Sequence, residues 1–323
     1  MINRHSNIVR VLFQASIVFI LVSPTLSWVG VDFYPQTLFV HWAHWLSVAS
    51  IIVAIAATWT KMKRFAAVAL ISGLTNLAGP MALFMPAAEP ELDGQLSIRV
   101  LHANLYLRQQ DPKAVEEMIF AANPDVIFLH ELTPGIWERL ALVRQNWRFQ
   151  AAVPRGDYYG VGVLSRLPLS DMLFLTMEPG SLPVAMISLG QLPVPHAIIS
   201  PHLFTPTSPD QFRLQQQQFD WLAAAVSQLP QSRVVIGDFN STPWHPTFRS
   251  FLARSNLRDA RWGKGFFATW PQILGNWGIP IDLAASSGAL VVKQLQTVPI
   301  KESDHLGVMA VIGQLAQVNE RLE

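Results

Sequence analysis

The chain contains no cysteine, which excludes a disulfide framework, a thiolate metal site and a cysteine nucleophile. Charge is scarce too: 14% of the 323 residues are charged against 50% hydrophobic, far too apolar a balance for disorder. The scarcity is uneven. Through residue 88 the only Lys, Arg, Asp or Glu residues are Arg4, Arg10, Asp32, Lys61, Lys63 and Arg64. Removing those five basic residues and one acidic residue from totals of 23 and 22 leaves 18 against 21, so the formal charge of +1 hides a mildly acidic remainder. Tight duplex-DNA binders draw their affinity from Lys and Arg set against phosphate. Without a basic excess, duplex DNA is not expected as a tight partner.

Three stretches free of these charges cover 11–31, 33–60 and 65–88, each longer than the ~20 apolar residues that span hydrocarbon. They predict three transmembrane helices in an anchor over 1–88, a short linker over 89–96 and a soluble domain over 97–323. Ser23, Pro24 and Ser27 dilute the first stretch, and a basic start before an apolar run also describes a cleaved leader. Lacking a small-x-small cleavage site, the stretch is read as a retained helix. Arg4, Arg10, Lys61, Lys63 and Arg64 mark cytoplasmic ends. The soluble domain then lies outside a bacterial inner or cell membrane, in the periplasm or the exterior. His41, His44 and Trp45 sit at helical spacing, as a lipid-headgroup or metal site would, or as interfacial residues near a helix end.

After residue 97 the apolar period shortens to two, predicting strands over 97–103, 125–130, 160–164, 172–176, 197–202, 233–238, 289–296 and 307–312. Asp111 and Pro112 cap one helix; Ser208 and Pro209 open another that reaches about 229, with Phe212, Phe219, Leu222 and Val226 toward a core. Many strands with few helices between them indicate an α+β sandwich.

Polar residues gather at the ends of the apolar strands, where a rigid scaffold can aim them into one cleft: Leu101-His-Ala-Asn104, Phe128-Leu-His-Glu131, Ser200-Pro-His202, Ile236-Gly-Asp-Phe-Asn240, Ile281-Asp282 and Ser303-Asp-His305. Each alone fits a cap or turn residue. In this order, with Tyr159-Gly-Val-Gly-Val-Leu-Ser-Arg166 between them, they resemble the endonuclease/exonuclease/phosphatase superfamily over roughly 97–313. The resemblance implies a four-layer α/β/β/α sandwich of two packed mixed sheets and a metal-dependent phosphoesterase. It implies Asn104, Glu131 and Asp304 as the set that binds Mg²⁺, with Mn²⁺ as the alternative ion, in keeping with magnesium's preference for oxygen ligands. Asp238 would orient or deprotonate water, Asn240 would donate to a phosphoryl oxygen, and His305, oriented by Asp282, would act as base or phosphate-binding imidazole. His202 would contact phosphate or protonate the leaving group. Ile281-Asp282-Leu283 departs from the family's frequent Ile-Asp-His or Ile-Asp-Tyr, which puts any substrate contact at the third position in doubt.

By strand parity His102 can join Asn104 in the cleft whereas His130 points away. Arg155, Tyr158, Trp270 and Lys301 are candidate substrate contacts. An exterior domain tethered beside headgroups favours a phosphorylated or pyrophosphorylated substrate borne on a lipid. The alternative in the same enzyme class is a membrane-tethered extracellular nuclease. A catalytically inactive binding module is the alternative from another class, disfavoured because Glu131, Asp238, Asn240, Asp304 and His305 are all present.

Overall fold

The computed structural model describes residues 17–316 except 20, 30–31, 88–90, 93, 95, 178–181 and 191–195. The expected period of two takes the form of two six-stranded sheets. The first runs β11 (Leu290–Pro299), β12 (Leu306–Gln314), β1 (Ile98–Asn104), β2 (Val126–His130), β4 (Val161–Ser165), β3 (Phe149–Val153). The second runs β5 (Leu169–Leu175), β6 (Val184–Leu189), β7 (His196–Ser200), β8 (Ser232–Asp238), β10 (Asp282–Ser287), β9 (Arg258–Asp259). Both are mixed: β1–β2 and β7–β8 are parallel and their other pairings antiparallel.

A parallel pair needs a crossover, and each crossover here is a helix. Pro112–Ala122 joins β1 to β2, its first turn closed by Asp111, which accepts from Lys113 N at 3.0 Å. Pro209–Ser227 joins β7 to β8, and Ser208 accepts from Gln211 N at 3.2 Å. Alternation then sorts the side chains. Val100, Val126, Phe128, Ile198, Val234, Ile236 and Ala284 fill the layer between the sheets. Leu101, Ala103, Ile127 and Leu129 pack under the first crossover helix, while Ile199, Val235, Leu283 and Ala285 pack under the second and under Pro246–Arg254. Layers of helix, sheet, sheet and helix result. Of the residues expected to face this core from the long helix, Phe219, Leu222 and Val226 are buried and Phe212 is half-buried.

Before the sandwich, α1 (Gln36–His41), α2 (Ala43–Trp59) and α3 (Lys63–Ala82) form a kinked helix and its hairpin partner. The second apolar stretch is broken at Trp42 (φ −96°, ψ 22°), leaving 17 residues in α2, about 25 Å at 1.5 Å per residue. Among the described residues only α3 is both long and apolar enough to cross a membrane. Of the first stretch, 17–19 and 21–26 are helical, and 11–16 lie outside the described residues.

The hairpin is polar within and apolar without. Ser47, Ser50, Ser72 and Asn76 are buried while Ile52, Ile55, Ile71 and Leu74 are 52–63% exposed. Ser47 Oγ donates to the Gly73 carbonyl at 2.7 Å and Asn76 Nδ2 to the Leu21 carbonyl at 2.9 Å. Gly73 suits the close approach: a Cβ there would lie 3.0 Å from Ile51 Cγ1 and 3.2 Å from the Ser47 carbonyl oxygen.

The helices dock on the sandwich rather than hang from a tether. Trp244 Nε1 donates to the Val40 carbonyl at 2.7 Å, Thr37 Oγ1 lies 2.8 Å from His245 Nε2, and His41 Nδ1 lies 3.3 Å from Thr242 Oγ1. Val40, Ala43, Leu83 and Trp244 are buried together. His41 stacks on His245 at 4.8 Å, and His44 meets Phe266 edge-on at 5.1 Å. These histidines therefore line an internal contact between the helices and the sandwich. Leu92 bridges to Leu315, so residues 91–92 of the expected linker follow the end of β12.

Candidate active site

One rule of geometry builds the site. Side chains two apart share a face of a strand, and each row facing the inter-sheet layer starts apolar and ends polar. Ile98 and Val100 lead to His102 and Asn104; Val126 and Phe128 to His130; Ile198 to Ser200; Val234 and Ile236 to Asp238; Ala284 leads back to Asp282. At the mouth of this layer the polar ends meet.

Asn104 Nδ2 donates to Glu131 Oε1 at 3.0 Å and to Asp238 Oδ2 at 3.1 Å. Glu131 Oε2 accepts from Leu107 N at 2.6 Å, and burial raises its pKa. Asp238 Oδ1 accepts from Asn240 N at 2.9 Å. Burial, reinforced by the nearby Asp282 charge, lifts Asp238 to about 6. Asn240 adopts φ 47° and donates one amide hydrogen to the Leu203 carbonyl at 2.9 Å, which leaves its second free.

Asp282 is gripped from both sides: Oδ1 lies 2.9 Å from His102 Nε2 and Oδ2 lies 2.9 Å from His305 Nδ1. Thr269 Oγ1 accepts from Asp282 N at 3.1 Å, and the buried Arg261 guanidinium donates to the Asp282 carbonyl. Burial opposes charge on His305, yet the Asp282 carboxylate on its Nδ1 outweighs it and lifts the imidazole to about 10. Burial would likewise raise Asp282, but His305 and His102 hold it far below the ordinary carboxylate range. His305 Nε2 stands 3.9 Å and His202 Nε2 3.5 Å from Asp238 Oδ2. His202 is pushed down to about 4, chiefly by burial, so it is neutral at pH 7. Ser303 Oγ donates to the Asn104 carbonyl at 2.9 Å and accepts from His305 N at 3.0 Å, fastening the C-terminal segment to β1.

Asp304 Oδ2 accepts from Trp270 Nε1 at 3.2 Å, while Oδ1 is buried with no partner. A buried carboxylate oxygen is costly to leave unsatisfied. A carboxylate oxygen of this kind is the ligand type a hard divalent cation takes. Asp238, Asp282 and His305 meet a second geometric condition, their ligand atoms lying within 4.8 Å of one another.

The other candidates fall outside this cluster. Arg155 pairs with Asp157 at 2.6 Å, Tyr158 is half exposed, and Lys301 Nζ lies 3.8 Å from Asp111. His130 departs from expectation. It does not point away but lies beneath the site, with Nε2 2.8 Å from Ser200 Oγ and its ring 5.5 Å from His202. Parity fails because Glu131, at φ 52°, has left the strand. Tyr159, which heads the Tyr159–Arg166 motif but was given no role from sequence, has its ring 5.4 Å from His202, and burial lifts its pKa to about 12. Arg261 and Thr269, which brace Asp282, lie in an irregular segment without periodic signal.

A model of the endonuclease/exonuclease/phosphatase family matches residues 101–305. The chain belongs to this family. Solved structures of the same fold include a humanized D. rerio TDP2 with 14 mutations, at 13% identity and TM-score 0.56 over 68% of this chain and 99% of that one. The endonuclease/exonuclease/phosphatase from Bacteroides vulgatus aligns at 14% identity and TM-score 0.56, over 68% of this chain and all (100%) of that one. The 3'-5' exonuclease NExo from Neisseria meningitidis aligns at 20% identity and TM-score 0.51, over 66% of this chain and 98% of that one. At such identities the likeness establishes the fold. Comparison with characterised protein sequences finds no match. The chain is a hydrolase of the endonuclease/exonuclease/phosphatase family acting on phosphoester bonds, with a buried Asp/His cluster able to hold a metal.

Proposed function

We propose that this phosphoesterase, anchored by residues 1–88 and carrying its catalytic domain at 97–323, works at the outer face of a membrane on a lipid-borne phosphoester or pyrophosphate. The carrying observation is the inverted hairpin, with Ser47, Ser50, Ser72 and Asn76 inside and Ile52, Ile55, Ile71 and Leu74 outside. In water such a pair would expose the wrong face; in lipid, small and polar residues belong between helices and apolar ones outward. Lys61, Lys63 and Arg64 lie at the hairpin turn, a helix length from the docked ends of α2 and α3, where positive charge marks the cytoplasmic side.

Glu131, Asn104 and Asp304 are assigned to Mg²⁺, with Mn²⁺ able to replace it. The ion would supply charge neutralisation at the phosphoryl group. Asp238, raised to about 6, is suited to take a proton from the attacking water near neutral pH. His305, charged because Asp282 holds Nδ1, presents Nε2–H to a phosphoryl oxygen. Asn240 donates its free amide hydrogen to the same group, and neutral His202 serves the leaving oxygen. Asn104, bonded to both Glu131 and Asp238, fixes the spacing between metal and base. Trp270 stays with Asp304 as a wall of the cleft, and Arg155, Tyr158 and Lys301 as outer substrate contacts.

The test is product release by the full chain in detergent, with Mg²⁺ or EDTA, from an isoprenyl pyrophosphate, a phospholipid and single-stranded DNA, with His305→Ala as control. Mg²⁺- and His305-dependent release from a lipid is the expected result. Cleavage of DNA alone would make the chain a tethered nuclease, and no turnover of any substrate would refute the enzymatic reading.

A further inference from the structure

Residues 265–281 contain no Asp, Glu, Lys, Arg or His. They join Gly265 to the catalytic Asp282, and their middle is a short 3₁₀ segment, Gln272–Trp277, that contributes no buried residue. Ile273 is 91% exposed and Trp277 67%, large apolar side chains on a segment that could have carried charge at no structural cost.

This ledge is attached at both ends to features already described. Outward, Trp45 Nε1 in the first turns of α2 donates to the Trp277 carbonyl at 2.9 Å, and the two indoles lie 5.4 Å apart. Trp45 stands where α2 leaves the sandwich, the level at which a spanning helix enters the headgroup region and at which tryptophan is favoured. Inward, Trp270 Nε1 donates to Asp304 Oδ2, and Gln272 N donates to the Asp304 carbonyl at 2.7 Å. A single uncharged segment thus runs from the base of the hairpin to the wall of the active site.

We infer that Ile273, Leu274 and Trp277 insert into the outer headgroup region of the bilayer that holds the hairpin, forming a ledge past which a phosphate carried on a lipid reaches Asp304. The inference rests on the membrane-anchored reading above and adds the route by which substrate arrives. The occupant is the bilayer itself, because the ledge continues the apolar surface of the hairpin through Trp45 and bears no charge to pair with a protein partner.

The absence of cysteine makes the test direct. Single changes Ile273→Cys, Ile71→Cys and Phe120→Cys each create one labelling site for an environment-sensitive fluorophore in the full chain. Each is reconstituted in phosphatidylethanolamine/phosphatidylglycerol nanodiscs containing nitroxide lipid. Ile71 faces out from the hairpin, and Phe120 is exposed on the helix that covers the first sheet. The labels at 273 and 71 are expected to be quenched roughly twofold or more, as for side chains set 5–10 Å into the interface or deeper, and the label at 120 not at all. A quenched 71 with an unquenched 273 would overturn this inference and leave the anchor standing. An unquenched 71 would overturn both. In a parallel measurement, Ile273→Asp is expected to lower kcat/KM for a phospholipid at least tenfold, while hydrolysis of soluble bis(p-nitrophenyl) phosphate stays within twofold of wild type, since the change leaves the catalytic groups untouched. Equal loss on both substrates, or loss on neither, would refute the entry route.

Discussion

Asp282→Asn is the most informative perturbation. The substitution keeps shape and removes the charge that holds His305. The imidazole now titrates near 10 instead of 6.5; at ~1.4 kcal/mol per tenfold in proton affinity, the environment favours imidazolium by on the order of 5 kcal/mol. With the carboxylate gone, burial, which favours the neutral form, is opposed only by the weaker influence of the Asp238 and Asp304 charges. His305 should therefore lose its charge at a lower pH in the variant, with the alkaline limb of the pH–rate profile moving down from near 10. A kcat loss of about 10²–10⁴-fold at pH 8 is expected, the range for removing one proton-handling group. Because the folded pKa is raised, the pairing stabilises the fold fully below the unfolded value and ceases to do so as pH rises through about 10. The wild-type melting temperature should fall over that interval and the variant's should not. The assay is kcat against pH on a soluble phosphodiester, followed by thermal denaturation over the same range. An unmoved alkaline limb would refute the assignment of His305 as the charged group.

Asp238, raised to about 6, should set the acid limb: activity falls as pH drops through 6, and Asp238→Asn, assayed by kcat–pH profiles, abolishes that limb. Glu131→Gln should weaken Mg²⁺ binding at least tenfold by isothermal titration calorimetry, in line with the loss of a principal carboxylate ligand, and EDTA should silence the wild-type enzyme. Gly79→Leu would drive a side chain into Trp244, because a Cβ alone would lie 2.5 Å from Trp244 Cβ; limited proteolysis should show the helices released from the sandwich while the family domain stays folded. Gly237→Ala would press a methyl onto the Pro201 carbonyl between β7 and β8, at a cost of about 1–3 kcal/mol measured by chemical denaturation.

The sandwich was largely legible where a strand carries large apolar residues in alternation. The strands over 98–104, 126–130, 161–165 and 232–238 lie within a residue of expectation at each end. β10, Asp-Leu-Ala-Ala-Ser-Ser, was not visible as a strand because Leu283 is its single large apolar residue: the others are small or polar and give no hydrophobic contrast along the strand between β8 and β9. β3, β6 and the helix Pro246–Arg254 escaped as well; β3 has no fully buried residue and the helix only Phe248 and Phe251. The candidate site was legible through residues that end inward-facing rows, such as Asn104 and Asp238. Tyr159, Arg261 and Thr269 were not, because their placement depends on loops that pack from other parts of the chain. The docking of the helices onto Thr242, Trp244 and His245 was equally hidden, since no local pattern records which surface a helix meets.

The five residues after Asn240 both leave the catalytic turn and receive α1, through Thr242, Trp244 and His245. The seat of the helices and the catalytic turn are thus one continuous piece of chain, so any displacement of α1 is felt within five residues of Asn240.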